Sequence, residues 1–219
     1  MPRRAKDDPR DTRTAIIEAA MRGFGERGFA ATGIREIAAL AGTNVASISY
    51  HFGGKEGLRA ACAEHIVKVM AEVLAAASAG DAPPESPEAA ERTLAALVQS
   101  MVHFLLLDPH ARLVAGFILR EMAEPSPALD IIYEGLFEGV HRRVCEIWGV
   151  ATGAAPGSEA VGLAVFAAIG QVVYFHVGRL VVQRRMDWPA IGPAEARAIA
   201  ETVVQNLAAR LAADRSRAP

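Results

Sequence analysis

Cysteine is scarce in this chain of 219 residues, where Cys62 and Cys145 stand far apart. Two such residues supply neither a disulfide framework nor the paired spacing of a structural zinc site, so both are expected as small buried apolar groups in a reducing compartment. An excess of charge of either sign is missing too. With 23 Lys/Arg against 25 Asp/Glu the formal net charge is −2, which excludes a uniformly basic nucleic-acid coat. No internal repeat and no sustained apolar–polar alternation occurs, and that removes solenoids and half-buried sheets. A Gly-rich phosphate loop, a nucleophile elbow and a clustered acid–base pair are equally absent, so an enzyme is not expected. His65, His103, His110, His141 and His176 are scattered along the body and are not read as a metal set; no metal and no cofactor is expected.

What is present is apolar and helical. About half the residues (52%) are apolar, enough to bury a core without staples. In "TRTAIIEAAMRGFGERG" Ile16, Ile17, Ala20, Met21 and Phe24 recur at three and four, and Gly28 stands where a helix ends. A short helix "IREIAALA" follows, with Ile34, Ile37, Ala38 and Ala41 on one face. After "GTN" comes another, about 45–51, anchored by Ile48, and "GGK" precedes a long helix at about 55–79. "GDAPPESPE" reads as a linker. Beyond it helices are expected at about 87–107, 110–123, 127–148, 158–185 and 193–213, which makes nine in an all-α protein.

The total charge hides an asymmetry. Residues 1–59 carry ten Lys/Arg and seven Asp/Glu, a net +3 on an otherwise acidic chain. Only this first part is expected to meet a polyanion. Here two short helices are joined by a glycine-containing turn, and the second is rich in small polar residues, which is the pattern of a helix-turn-helix. Such a helix keeps one face apolar for packing and the other small and polar for the major groove, about 12 Å wide. Thr32, Thr43, Asn44, Ser47, Ser49, Tyr50 and His51 are the expected DNA contacts, with Phe52 turned inward. Lys55, in the first turn of the next helix, suits a phosphate, and Gly53 and Gly54 permit a close approach. Arg3, Arg4 and Lys6 are read as part of a tail diluted by Asp7 and Asp8 rather than as a minor-groove arm.

From about Thr14 to Leu58, "AAMRGFGERGF", "IREIAALAGTN" and "YHFGGKEGL" follow in order and spacing the DNA-binding domain of the TetR family of bacterial repressors, which the chain resembles. "ASISYHFGGKEGL", "LREMAEPSPALD", "GQVVYF" and "IGPAEARAIA" are similar to its CecR (YbiH) branch. Two positions depart from the common pattern: Gly33 replaces a Ser/Thr cap, and Ser49 replaces a tyrosine. Arg120, Glu121, Ser126 and Asp130 in "LREMAEPSPALD" are read as an interhelical ion pair with a helix cap at Ser126.

The resemblance implies an N-terminal three-helix helix-turn-helix domain (12–58) between a tail (1–11) and a helical regulatory and dimerisation domain (59–213), with a short tail at 214–219. The implied function is a cytoplasmic, ligand-responsive repressor that leaves double-stranded operator DNA when a small-molecule effector binds. Phe104, Phe117, Tyr133, Phe137, His141, Trp148, Gln171 and Tyr174 are large or polar groups among alanines. As a set they are the expected lining of a mainly apolar effector cavity. The segment 160–178 has no charged residue and the length of a membrane span. Its glycines, Gln171 and His176 favour instead a helix buried on most faces, with no membrane partner. Gly162, Ala164, Ala167, Ala168 and Gly170 allow close approach, so the eighth and ninth helices (158–185 and 193–213) are expected to build a homodimer on a palindromic operator. Alternatives are a small-molecule-binding or catalytic helical protein without DNA binding, or a DNA-binding scaffold without effector.

Overall fold

The computed structural model describes residues 9–77, 84–124 and 126–217. Most of the expected N-terminal tail, with Arg3, Arg4 and Lys6, lies outside them, as do residues 80–83 of the expected linker. Among the described residues every regular element is helical. The first half holds α1 (Pro9–Arg27), α2 (Ile34–Leu40), α3 (Val45–Phe52), α4 (Lys55–Ala77), α5 (Pro87–Leu107) and α6 (Ala111–Ala123). Then come α7 (Pro127–Ile132), one π-helical turn (Tyr133–Phe137), α8 (Glu138–Thr152), α9 (Glu159–Val177), α10 (Arg179–Met186) and α11 (Pro193–Arg215).

Local chemistry explains most boundaries. Pro9 opens α1 where its missing N–H costs nothing, so the helix begins before the expected residue 12. Gly28 ends it with φ 85°, and its N–H reaches the Phe24 carbonyl at 2.9 Å. Ser86 caps α5 by accepting from the Ala89 N–H at 3.2 Å. Two expected helices are interrupted. The one expected over 127–148 carries the π turn, whose Gly135 faces Val67 so closely that a Cβ would lie 2.9 Å from its methyl. The one expected over 158–185 breaks at Gly178, where a Cβ would lie 3.1 Å from the Tyr174 ring, and α9 and α10 result.

The chain forms two compact units. Of the described residues, one joins those up to Val69 with those of Arg112–Gly135; the other joins those of Met70–Ala111 with those from Leu136 onward. The expected boundary at 58/59 falls inside the first unit, which also takes in α6 and α7. That unit closes over Ile16, Ile17, Ala20, Met21, Phe24, Ile37, Ile48, Leu58 and Phe117, all buried. Gly25 lets α1 approach α6 closely, because a Cβ there would lie 3.1 Å from the Gly116–Phe117 backbone. The second unit packs α5, α8, α9 and α11 around Trp148, with Leu94, Cys145, Ile147, Val161, Val165, Leu207 and Leu211.

Candidate nucleic-acid interface

The surface of interest is built by α2, α3 and the start of α4. Gly33 caps α2 without a side-chain hydrogen bond, and Glu36 pairs with Arg27 at 2.8 Å instead. Gly42 takes φ 66°, and the Thr43 N–H returns to the Ala38 carbonyl at 2.9 Å, which completes the tight turn. Asn44 then caps α3, its Oδ1 accepting from the Ser47 N–H at 2.9 Å and lying 3.3 Å from the Ser47 hydroxyl. Asn44 therefore has a structural task besides its expected DNA contact. On α3, Ile48 is wholly buried while Tyr50, two residues on and about half a turn around the helix, is 85% exposed, so one face anchors and the opposite face presents. Ser49 is exposed, with its hydroxyl donating to the Val45 carbonyl at 3.2 Å; Ser47, His51 and Phe52 are half-buried. The Tyr50 and His51 rings meet edge-on at 5.1 Å.

The α3–α4 junction depends on three glycines. Gly53 and Gly54 have φ 71° and 132°, with open space beside each, so they serve the backbone turn and leave room for an approaching strand. Gly57 has a different reason: a Cβ there would sit 1.9 Å from the Phe52 carbonyl oxygen. Lys55 extends so that its Nζ lies 4.4 Å from the Phe29 ring centre, and the Arg59 guanidinium lies 4.4 Å from the same ring. Arg59 also grips buried Glu121, with Nε and Nη2 at 2.9 and 2.8 Å from its two oxygens, and the Ser126 hydroxyl bonds the same carboxylate. Ser126 in turn caps α7 by accepting from the Ala128 N–H. Phe29, Arg59 and Gly57 were not singled out from the sequence. The only signal for Phe29 was its place directly after the terminating Gly28, where an apolar residue often packs back on the helix; it does so on Phe24 at 5.4 Å.

Thr32 requires a correction. Only 1% exposed, its hydroxyl lies 2.8 Å from both the Gly23 and Gly28 carbonyl oxygens. Its side chain ties the α1 end to the loop and does not face a phosphate.

The residues expected around an effector have separate surroundings. Phe117 and Tyr133 belong to the first unit, where Phe117 is buried at 6.3 Å from Phe24 and Tyr133 is exposed on the π turn. In the second unit Phe104 and Trp148 are core, and the Trp148 indole donates to Asp214 at 3.2 Å. Phe137 is half-buried. His141 stacks on Phe166 at 4.1 Å, its Nε2 3.2 Å from the Gly162 carbonyl. Gln171 and Tyr174 lie on the outer face of α9, opposite the stripe of Val161, Ala164, Val165 and Val172 that is buried. With Gly170, Phe175, Thr202, Val203 and Asn206 they line an open groove of about 410 Å³, across which the Asn206 amide donates to Gln171 at 3.1 Å. Within the single chain 160–178 is not buried on most faces: Leu163, Phe166, Ile169, Tyr174 and Val177 are exposed. This is the one helix among the described residues long and apolar enough to cross a membrane.

The scatter of histidines also hides a pair: His141 and Cys145 are four apart on α8, with Sγ 3.7 Å from Nδ1. No third ligand joins them among the described residues. Burial, with Glu146 nearby, pushes the Cys145 thiol up. Burial, and next Glu121, pushes the Cys62 thiol far up. Both are held in the neutral form.

An anchored, outward-facing second helix, a glycine turn and a lysine at the following helix start define a DNA-binding protein of the helix-turn-helix class. Residues 16–62 match the family of bacterial regulatory proteins described as tetR, and residues 90–213 match the C-terminal domain of the HTH-type transcriptional dual regulator CecR. The chain belongs to the TetR family of transcription regulators, on its CecR branch. The HTH-type transcriptional dual regulator CecR of Shigella flexneri is 33% identical over 197 residues, spanning 88% of this chain and 87% of its own. TtgR of Pseudomonas putida is 47% identical over 58 residues, 26% of this chain and 28% of its own. Among solved structures, AibR in complex with isovaleryl coenzyme A and operator DNA aligns with a TM-score of 0.67 at 19% identity, covering 88% of this chain and 96% of that one. The SmeT–triclosan complex gives 0.61 at 21%, covering 89% and 90%. At these identities the likeness speaks for the fold.

Proposed function

We propose that this regulator is a cytoplasmic, non-enzymatic repressor that binds a palindromic operator as a homodimer and leaves it when a small, mainly apolar effector binds. The observation that carries the DNA-binding part is α3, where Ile48 is sealed in the core and Tyr50 stands 85% exposed beside Ser49. Ser47, Ser49, Tyr50 and His51 face bases and phosphates in this reading, with Thr43 and Asn44 at the helix start. Lys55 contacts a phosphate. Binding of the duplex by full-length protein, followed by fluorescence anisotropy, tests it. Lys55→Ala should weaken selected and unselected duplexes alike and reduce the magnitude of the salt slope by about 0.9, the share of one phosphate. Unchanged affinity and slope would remove Lys55 from the interface.

The dimer reading rests on α9 and α10. Phe166 is 60% and Leu180 75% exposed, and Leu163, Val177 and Val181 continue the same apolar exposure. Several large apolar side chains exposed along neighbouring helices mark an interaction surface. Pairing of α9 and α11 with their two-fold copies covers it, and the groove at Gln171 and Asn206 then belongs to that face rather than to an effector site. For the effector, AibR with isovaleryl coenzyme A and SmeT with triclosan are ligand-bound proteins of like fold. An effector lowers operator affinity only by favouring a weakly binding conformation, by about 1.4 kcal/mol for each tenfold loss. Melting-temperature shifts across apolar and anionic compounds test this; release of DNA by anionic compounds alone would overturn the apolar assignment.

A further inference from the structure

Phe29 is neither in the recognition helix nor in the sealed core, yet two cations converge on its ring. Its own position is fixed from below: it follows the helix-ending Gly28 and packs on Phe24 at 5.4 Å. From α4, one turn apart, come Lys55 Nζ and the Arg59 guanidinium, each 4.4 Å from the ring centre. A cation at that distance is attracted by the ring's negative face. The two differ in what else holds them. Arg59 is locked by two contacts to buried Glu121 and does not need the ring to stay in place. Lys55 carries a flexible four-carbon stem, and the ring is what restricts it.

We propose that Phe29 is a positioning residue for operator binding: its ring holds the Lys55 ammonium at the α3–α4 junction, ready for a backbone phosphate. The proposal rests on the reading of Lys55 as a phosphate contact. A ring face occupies one side of an ammonium and leaves N–H groups on the other. The lysine therefore meets DNA with part of its rotamer freedom already removed. Of the two cations on the ring, Arg59 has its charge matched by Glu121, and Lys55 is the one placed to offer its charge to a phosphate. No base is read by this device, so its effect is the same on every sequence.

The test is a double-mutant cycle on the full-length protein, with one duplex recovered from a random pool by the wild type and one unselected duplex. Phe29→Leu keeps the contact with Phe24 and removes the ring face. It should weaken both duplexes about two- to fivefold, the size of an exposed cation–π contact. Phe29→Tyr should restore wild-type affinity. In a Lys55→Ala background Phe29→Leu should have no further effect, since nothing remains to be positioned. Phe29→Met repeats the measurement with an unbranched apolar side chain should the leucine variant melt early. An equal loss in the Lys55→Ala background would make the ring merely structural and overturn the proposal, as would full affinity in both ringless variants when Lys55→Ala alone weakens binding. A Lys55→Ala variant that binds like wild type would instead defeat the phosphate reading, and the platform with it.

Discussion

Thr32 and Lys55 are both polar residues beside the DNA-facing helices, and burial separates their tasks. The Thr32 hydroxyl is sealed against the Gly23 and Gly28 carbonyls, whereas Lys55 rests half-exposed on an aromatic ring. Thr32→Val leaves those carbonyls without their donor and should cost about 1–3 kcal/mol, read as a lower urea midpoint. Thr32→Ser should retain most of that stability, and both should bind operator like wild type under conditions where they are folded. Lys55→Ala should do the reverse, with DNA affinity lost and the midpoint kept. The cysteines illustrate the same rule. Raised by burial, both thiols remain protonated at pH 8, and the thiolate is the reactive form. An aromatic disulfide reagent should modify neither at an appreciable rate in native protein and both rapidly in denaturant; fast native labelling would contradict this burial.

At the scale of elements, helix ends were more legible than helix interruptions. Gly28, Gly42 and Gly53 terminate α1, α2 and α3 through positive φ, a property each glycine brings with it, and Ser86 and Ser126 cap as their types suggest. The π turn at Tyr133–Phe137 and the break at Gly178 depend on what packs nearby. Val67 lies against Gly135 from a distant stretch of chain that helical periodicity does not reveal, and the Tyr174 ring lies against Gly178 through its rotamer, which the i,i+4 spacing alone does not fix. Gly57 belongs with these. It sits inside a helix, where alanine is ordinarily better by about 1 kcal/mol. Here the Phe52 carbonyl occupies the place of its Cβ. Gly57→Ala should therefore destabilise by about 1–3 kcal/mol through overpacking against backbone that cannot easily yield. Operator affinity should fall with it, because α3 and α4 are forced apart where Lys55 begins. A more stable variant with intact binding would show that the junction gives way freely.

For the whole molecule, legibility followed distance along the chain. The residues proposed to face DNA are close together in the sequence, so motif and spacing grouped them without knowledge of the fold. An effector site draws on helices far apart, and a surplus of large residues does not say which face each one presents. Phe117 and Trp148 proved to be core, while Gln171 and Tyr174 stand on the outer face of α9. That face supports the assembly prediction. Phe166→Glu together with Leu163→Glu should yield a monomer in sedimentation at micromolar concentration, still helical by circular dichroism and with operator affinity greatly reduced. A variant that sediments like wild type would move the dimer interface elsewhere.

The uncovered apolar length of α9 and α10 makes the regulator's durability a matter of abundance. If a second copy covers Phe166, Val177 and Leu180, each chain's resistance to unfolding includes the free energy of association, and by mass action that share shrinks on dilution. The melting temperature should accordingly climb with protein concentration. In a cell the first few copies made would be the most fragile, and the population would become robust only as it accumulated.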